Sequence, residues 1–343
     1  RRSAIRARSG TTPSSSSSKM VRRYISVVSM SSFTPVSLGC TYGKGRLEWC
    51  GVYVSRRQDV SMYPVITPQE LATLLSGPEP PIVADVRWSL TGPPGSVDYR
   101  AGHLPSAVFF DVDADLAGPP GPGGRHPLPY PAALEVALRA AGVRATTPVV
   151  AYDAADGSVA ARLWWLLRWA GHPAVAVLDG GIAAWRAAGL PVTAEVPQPE
   201  AGTMTVRPGG MPVLDAAHAA ALARNGVLLD ARAGPRYRGD TEPLDPRAGH
   251  IPGATNAPFS ELTDAQGRWL PPGRLRELAD RWRVAGKDIG AYCGSGINAC
   301  ALVLGLELAG VTTPKCAAAL YAGSWSHWCT DRDRPVATGP NPG

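Results

Sequence analysis

The chain carries an internal duplication, and this repeat limits its possible folds more than any other feature of the sequence. The segment Arg-Ala-Gly-His-Ile-Pro-Gly-Ala at 247–254 matches Arg-Ala-Gly-His-Leu-Pro-Ser-Ala at 100–107 almost letter for letter. Before each copy lies a short apolar run that ends in Asp-x-Arg, at 82–87 and at 227–232. Matching segments are separated by about 140–147 residues, so the chain is predicted to build one structural unit twice.

The order of elements within each copy indicates the fold class. Short apolar runs typical of buried strands alternate with longer stretches typical of helices. This alternation predicts an α/β fold of two tandem domains, each a mostly parallel sheet flanked by helices. We place the first domain at 62–195, a Pro/Gly-rich linker at 196–210 and the second domain at 211–337. The strands are expected at 82–87, 148–152, 174–178, 227–232 and 288–292, with helices at 158–170 and 297–309.

Residues 1–61 differ in composition from the rest of the chain. They carry 11 basic and 2 acidic side chains, whereas the remainder carries 23 basic and 26 acidic ones. An arginine- and serine-rich, acid-poor segment is typical of an organelle transit peptide. The alternatives that we favour are a disordered leader or a start assigned too far upstream, since Met62 lies just before the first recognisable element. The protein is then expected in the cytoplasm, and in an organelle if the segment is a genuine transit peptide.

The charge and cysteine content argue against several classes of function. The net charge of −3 beyond residue 61 argues against a nucleic-acid-binding surface. No apolar run is long enough to cross a membrane. The six cysteines show no paired Cys-x-x-Cys spacing, so neither a zinc site nor a secreted disulfide framework is indicated. We therefore expect an intracellular protein in a reducing setting, without a metal and without membrane or nucleic-acid partners.

The segment Ala-Tyr-Cys-Gly-Ser-Gly-Ile-Asn-Ala-Cys at 291–300 places Cys293 where a strand ends, a glycine-bearing loop turns and a helix begins. Backbone N–H groups of such a loop and the positive end of the helix dipole both favour a thiolate. Cys293 is therefore a candidate nucleophile, although a small buried cysteine without chemistry fits the same pattern. The equivalent position of the first copy is Asp153, so only one copy offers a thiol there.

The tandem units, their Asp-x-Arg strands, the Gly-His-[Ile/Leu]-Pro turns and the Cys-Gly-Ser-Gly loop together resemble a two-domain rhodanese sulfurtransferase over about residues 62–337. The resemblance implies an inactive first domain and a catalytic second domain. It implies that Cys293 takes a sulfur atom from a small-molecule donor as a persulfide, which an acceptor such as cyanide or a cellular thiol then removes. A thiol protein is a further candidate acceptor. No metal or organic cofactor is expected, because the persulfide is itself the carrier.

The resemblance also assigns roles to the loop around Cys293. Ser295 is expected to be catalytic, as a hydroxyl donor to the persulfide or as a proton relay. The backbone N–H groups that are expected to hold the persulfide anion belong to Gly294, Gly296, Ile297 and Asn298.

Two side chains outside the loop are further candidates by the same resemblance. Arg236, in the segment Arg-Tyr-Arg-Gly, matches an arginine that contacts the substrate carboxylate. The alternative is that Arg236 is a solvent-exposed loop arginine without a role in substrate binding. His103 is a candidate for proton transfer. Because His250 occupies the same position in the other copy, a structural role shared by both histidines is at least as well supported as proton transfer.

The identity of the sulfur donor stays open between 3-mercaptopyruvate and thiosulfate. Gly294 and Ser295 are uncharged, which resembles enzymes that use 3-mercaptopyruvate rather than those that use dianionic thiosulfate. A second arginine of the mercaptopyruvate enzymes has no clear match in this sequence. Arg247 is displaced toward the Gly-His turn, and this position suggests that it has a structural role. Asn298 also stands where the family usually has threonine. Thiosulfate:cyanide sulfur transfer is therefore the alternative main activity.

Two other functions are disfavoured by single residues. Cysteine phosphatases that share this fold need an arginine six positions after the cysteine, and Ala299 occupies that position. A non-catalytic sulfur carrier or interaction protein would not need Cys293, the loop glycines and Arg236 together. We therefore predict an enzyme.

Overall fold

A parallel sheet organises the first half of the chain in the computed structural model, which describes residues 62–343. The leader predicted for 1–61 lies outside these described residues. The elements of the first half are β1 (Val65–Ile66), α1 (Pro68–Leu75), β2 (Ile82–Asp85), α2 (Gly95–Ala101), β3 (Val108–Phe109), α3 (Pro131–Ala140), β4 (Val149–Tyr152), α4 (Ala160–Trp169), β5 (Val175–Leu178) and α5 (Gly181–Ala187).

The sheet of the first half has five strands in the order β1-β5-β4-β2-β3, and each neighbouring pair is parallel. Helix α1 begins at a capping box in which Thr67 and Glu70 bond each other's backbone N–H groups. Such reciprocal bonds satisfy donors that the first helical turn cannot use. The capping motif is thus a local reason for the helix to start here.

The second half repeats this architecture with one strand fewer. Its four-stranded parallel sheet has the order β7-β6-β8-β9 once the strands are numbered along the chain. Where the first half has β1, the second half has a single parallel bridge between Val213 and Leu320. The elements are α6 (Ala216–Asn225), β6 (Val227–Asp230), α7 (Gly234–Arg238), β7 (Thr255–Asn256), a 3₁₀ turn (Phe259–Glu261), α8 (Pro272–Arg281), β8 (Ile289–Tyr292), α9 (Asn298–Leu308), β9 (Ala319–Leu320) and α10 (Ser324–Trp328).

The predicted α/β class is confirmed, with parallel strands and helices in both halves. The five expected strands are observed as β2, β4, β5, β6 and β8, and the two expected helices as α4 and α9. Gly310 follows α9 with φ of +66°, the left-handed conformation that ends helices. The boundaries 62–195 and 211–337 stay predictions.

The duplicated Asp-x-Arg motif forms a buried ion pair in each half. In the first, the guanidinium of Arg87 lies 2.6 Å from Asp85 and donates to the carbonyl of Gly102 at 2.9 Å. In the second, Arg232 repeats both contacts with Asp230 and with Gly249, each at 2.7 Å. The shared motif therefore ties the end of a central strand to the Gly-His-x-Pro turn.

Helices α4 and α9 bring the two halves together around one continuous apolar core. Helix α4 is buried along its whole length, with Trp164 and Trp165 fully inaccessible. A partly buried ion pair of 2.7 Å joins Arg168 of α4 to Glu307 of α9. This packing places loops of the first half over the carboxyl edge of the second sheet. None of the helices within residues 62–343 combines the length and the hydropathy that a membrane span requires.

Candidate active site

Cys293 directly follows β8 at the carboxyl edge of the second sheet, and its side chain is 4% exposed. Its backbone N–H donates to Oγ of Ser324 at 3.1 Å, and its carbonyl accepts from Trp325 at 3.0 Å. The N–H of Gly296 donates to the Cys293 Sγ at 3.1 Å. Within the described residues, no side chain caps the N-terminus of α9, which begins five residues after Cys293. Loop N–H groups and a helix N-terminus therefore favour negative charge on the sulfur.

Gly296 is required by the shape of this loop. Its φ is +85°, and a Cβ added there would lie 2.3 Å from the carbonyl oxygen of Ala322. Only a residue without a side chain adopts this conformation so close to another backbone segment. The glycine therefore lets its N–H face Cys293.

Ser295 is the end of a hydrogen-bonded chain that starts in the other half of the molecule. Its Oγ lies 2.7 Å from Nδ1 of His126, and Nε2 of the same ring lies 2.9 Å from Oδ1 of Asp113. The second carboxylate oxygen of Asp113 accepts from the Trp88 indole at 2.9 Å. This serine–histidine–aspartate arrangement can carry a proton to or from the loop that holds Cys293.

Burial lowers the pKa of His126 from 6.5, and the nearby charges of Arg162 and Arg125 act in the same direction, whereas Asp113 opposes them. The ring is therefore neutral at pH 7. With the Nε2 proton directed at Asp113, Nδ1 accepts the hydroxyl hydrogen of Ser295. A neutral imidazole in this tautomer is the form that can take up a proton.

Arg162 of α4 joins the histidine segment to the cysteine loop. The side chain is completely buried and donates to the carbonyl of Gly296 at 3.1 Å. It also donates to the carbonyls of Leu116, His126 and Pro127, each at 3.2 Å. Because these carbonyls come from both halves, one guanidinium aligns the two parts of the site.

The structure does not bring His103 to this site. Its side chain is fully buried, with Nδ1 2.7 Å from the Tyr99 carbonyl and Nε2 3.0 Å from the Glu195 carbonyl. Its duplicate His250 makes the equivalent pair of contacts with the carbonyls of Tyr237 and Pro342. Proton transfer by His103 is therefore not supported, because both ring nitrogens are already engaged. The histidine that contacts Ser295 is His126.

Arg236 lies on α7 beside the cysteine loop and is 20% exposed. Its guanidinium contacts Glu242 at 2.6 Å and Asp245 at 3.1 Å. A Cβ added to Gly294 would lie 3.3 Å from its Nη1. The structure thus places the predicted arginine against the residue that follows the nucleophile.

The remaining loop positions lead into α9. Ile297 precedes the helix and is buried, and Asn298 is its first residue. Two residues further along the helix, the Cys300 thiol donates to the Gly296 carbonyl at 3.3 Å. Burial raises the pKa of Cys300 to about 12, so this second cysteine stays a thiol. Arg247, in turn, donates to the carbonyls of Asp331 and Arg334.

A cleft of about 570 Å³ opens beside the far end of the hydrogen-bonded chain. Trp88 and Asp113 line it, whereas Cys293 and Ser295 do not. The cleft therefore connects Asp113 with solvent rather than forming the space around the sulfur.

Sequence reasoning missed His126 and Asp113. Both lie in the connection between β3 and α3, which spans 21 residues (110–130), whereas the matching connection of the second half spans 15 (257–271). The extra length of the connection in the first half could have drawn attention to these residues. A segment present in only one copy is not needed for the framework that the two copies share.

Comparisons with known proteins agree with this geometry. The family model of the rhodanese-like domain matches residues 67–188 and 215–331. A Pseudomonas aeruginosa protein that carries the provisional name 3-mercaptopyruvate sulfurtransferase is 46% identical over 284 residues, covering 80% of this chain and 98% of that protein. A Mycobacterium tuberculosis protein with the provisional name thiosulfate sulfurtransferase SseB is 41% identical over 283 residues, covering 80% and 97%.

Among solved structures, the protein resembles SseA from Escherichia coli, described as a 3-mercaptopyruvate sulfotransferase with a rhodanese fold. The TM-score is 0.68 at 29% identity, covering 78% of this chain and all of that one. Two family matches, relatives of nearly full length and a cysteine loop at the sheet edge lead to one conclusion. The chain belongs to the rhodanese family of sulfurtransferases.

Proposed function

We propose that this enzyme uses 3-mercaptopyruvate as its main sulfur donor and forms a persulfide on Cys293. The observation that carries the choice of donor is the chain Ser295–His126–Asp113, with contacts of 2.7 and 2.9 Å. A proton relay next to the nucleophile is useful only for a donor whose reaction moves a proton. The relatives named for 3-mercaptopyruvate give independent support.

The reaction with 3-mercaptopyruvate requires such a proton. The Cys293 thiolate attacks the donor's sulfur, an S–S bond forms, and the electron pair of the broken C–S bond goes to carbon. The product is the enolate of pyruvate, which needs one proton to become pyruvate. Ser295 and His126 can pass the proton of the donor thiol to that carbon, leaving a persulfide anion beside the loop N–H groups.

The acceptor step needs no further catalytic group. Cyanide attacks the outer sulfur, thiocyanate leaves, and the Cys293 thiolate is restored. A thiol acceptor reacts at the same atom and takes the sulfur as its own persulfide. We also propose that a thiol protein can serve as the acceptor. The proposed location of the enzyme is the cytoplasm.

Thiosulfate is the second candidate donor. Attack of Cys293 on its outer sulfur releases sulfite as the leaving group, and no proton has to be delivered to carbon. Two guanidiniums beside Gly294 favour this dianion, as does the relative named for thiosulfate. The two donors therefore differ in their need for His126.

The test is steady-state kinetics with 3-mercaptopyruvate and with thiosulfate, using cyanide as acceptor, for the wild type and for His126→Asn. We expect a higher kcat/KM with 3-mercaptopyruvate, and a fall in kcat of about 100-fold in the variant with that donor alone. Thiosulfate turnover should change by less than about threefold. His218→Asn, on an exposed histidine of α6, is the control and should behave as the wild type.

Two results would contradict the proposal. One is a wild type that prefers thiosulfate. The other is an equal loss with both donors in His126→Asn, because a histidine that only supports the loop would affect both reactions alike.

A further inference from the structure

We propose that Arg125, contributed by the first half of the molecule, is a donor-binding residue. It would supply a second guanidinium beside Arg236 for the anionic group of the sulfur donor. This inference rests on the proposed function, because it assumes an anionic donor at Cys293. It also accounts for the absence of a second arginine from the expected segment of the second half.

The first observation is the position of the two guanidiniums. A Cβ added to Gly294 would lie 3.1 Å from Nη2 of Arg125 and 3.3 Å from Nη1 of Arg236. The two side chains come from different halves of the chain and meet at the residue that follows Cys293. A donor bonded to the Cys293 sulfur therefore lies next to both cations.

The second observation is that the backbone of Arg125 is held in place. Its N–H donates to Oγ of Ser326 at 3.0 Å, and the N–H of Ser326 donates to the Gly294 carbonyl at 2.9 Å. Gly124, with φ of +110°, approaches so closely that an added Cβ would lie 2.7 Å from the Gly323 carbonyl oxygen. The next residue, His126, contacts Ser295. Two neighbouring residues thus enter the site from the first half.

The third observation is the distribution of charge. Asp245, only 3% exposed, forms ion pairs with both Arg125 and Arg236. The two arginines keep 26% and 20% of their side-chain surface exposed. The buried carboxylate therefore occupies part of each guanidinium and competes with an anionic donor for them, while their outer edges stay open to solvent.

The fourth observation is an unused donor on Arg125. Its Nε is buried and has no hydrogen-bond acceptor within residues 62–343. A buried N–H without an acceptor is unfavourable in the free enzyme. A carboxylate or sulfonate oxygen brought in with the donor would satisfy it, and the guanidinium fork matches such oxyanions.

A purely structural role for Arg125 predicts something different, and two variants separate the roles. Arg125→Gln and Asp245→Asn both break the Arg125–Asp245 ion pair, so a purely structural role predicts effects in the same direction. Donor binding predicts opposite effects. Arg125→Gln should raise the donor KM by about 10- to 100-fold with little change in kcat or in the cyanide KM. Asp245→Asn should lower the donor KM, because it removes a carboxylate that competes for both guanidiniums.

Arg144→Gln is the control, since Arg144 is 45% exposed and pairs only with Glu200 at 3.6 Å among its described contacts with acidic groups. Its kinetics should match the wild type. An unchanged donor KM in Arg125→Gln, or a shift in the same direction in Asp245→Asn, would overturn the inference while leaving the sulfur-transfer activity in place.

A binding measurement keeps the inference testable if turnover fails. Calorimetric titration of pyruvate into Cys293→Ser, with and without Arg125→Gln, reports on the anion site alone. We expect the second substitution to weaken pyruvate binding by about 10-fold or more. Equal binding by both proteins, or none by either, would count against a donor site at Arg125. Absent turnover in the wild type would instead count against the proposed function.

Discussion

The loop after β4 in the first half holds a carboxylate, whereas the equivalent loop after β8 in the second half holds a thiol. Oδ1 of Asp153 accepts from the N–H groups of Ala155 and Gly157 at 3.2 and 3.0 Å. Its Oδ2 accepts from Val159 and Ala160, at the start of α4, at 2.9 and 3.0 Å. In the second half, the Cys293 sulfur accepts from Gly296, and α9 has no side-chain cap within the described residues.

This difference suggests how one loop design serves two purposes. In both halves the backbone presents N–H donors that suit an anion. The first half supplies its own carboxylate, Asp153, which fills the loop and leaves no place for a reaction. The second half gives the place to the sulfur of Cys293, which can take up a transferred sulfur atom. In the proposed mechanism, the first half contributes to catalysis from elsewhere, through the connection that carries His126.

The largest effect should come from removing the one thiol that distinguishes the loops. Cys293→Ser is expected to lower sulfur transfer from both donors by at least about 1,000-fold, because a serine hydroxyl cannot form the persulfide. The thermal unfolding midpoint should stay close to that of the wild type. Cys316→Ser, on an exposed cysteine, should keep full activity.

A thiol placed in the first loop sharpens the same comparison. Asp153→Cys in the Cys293→Ser background should stay below about 1% of wild-type turnover, because the histidine relay and the two guanidiniums lie at the other loop. Recovery of substantial activity would show that any thiol in such a loop suffices. The account of the second site would then be wrong.

A pair of glycine variants should give a smaller, but still unequal, effect. Gly296→Ala forces a side chain onto a residue with φ of +85° and 2.3 Å from a backbone oxygen. We expect turnover to fall about 100-fold and the free energy of unfolding to fall by about 2 kcal/mol. Gly157→Ala, at φ of +71° in the first loop, should lower stability by about 1 kcal/mol or more and keep kcat/KM within about threefold. Equal losses of kcat/KM in both variants would contradict the claim that only the loop of the second half takes part in turnover.

The smallest effect concerns the pH dependence of stability through Asp153. Burial raises its pKa from 3.8 to about 6, Asp156 adds to the shift, and the loop N–H groups oppose it. A pKa that is higher in the folded state stabilises the protein below about pH 4, and this contribution is lost as the pH rises through about 6. The wild type should therefore lose about 1–1.5 kcal/mol between pH 5 and pH 8 relative to Asp153→Asn.

Urea unfolding of both proteins at these two pH values measures that difference. A difference that is constant, or one that favours the wild type at pH 8, would show that the loop N–H groups outweigh burial. Activity of Asp153→Asn should match the wild type, since the loop after β4 holds none of the proposed reacting groups.

The fold could be predicted, and Cys293 could be proposed as the nucleophile, because their signals are local. Strand and helix patterns, the Thr67 cap and Gly310 each depend on a few neighbouring residues, and the duplication repeats them. The loop around Cys293 is likewise contiguous in sequence. Arg236 could be proposed only because its segment resembles that of a known family.

The partners of the nucleophile could not be predicted in the same way. His126 and Ser295 are 169 residues apart, and the Arg125–Ser326 contact spans 201. These contacts exist only after α4 and α9 pack and bring the two halves together. His103 attracted attention because it belongs to a duplicated motif. Duplication is instead the sign of a shared framework, as the matching contacts of His250 demonstrate.

The most direct test of the central claim is to locate the transferred sulfur. The enzyme is incubated with 3-mercaptopyruvate in the absence of an acceptor, and its intact mass and peptides are measured under non-reducing conditions. The account predicts one added sulfur atom per chain, on the peptide that contains Cys293, and its loss when cyanide is added. Sulfur on Cys300, Cys316 or Cys329 instead, or no added sulfur while turnover proceeds, would contradict it.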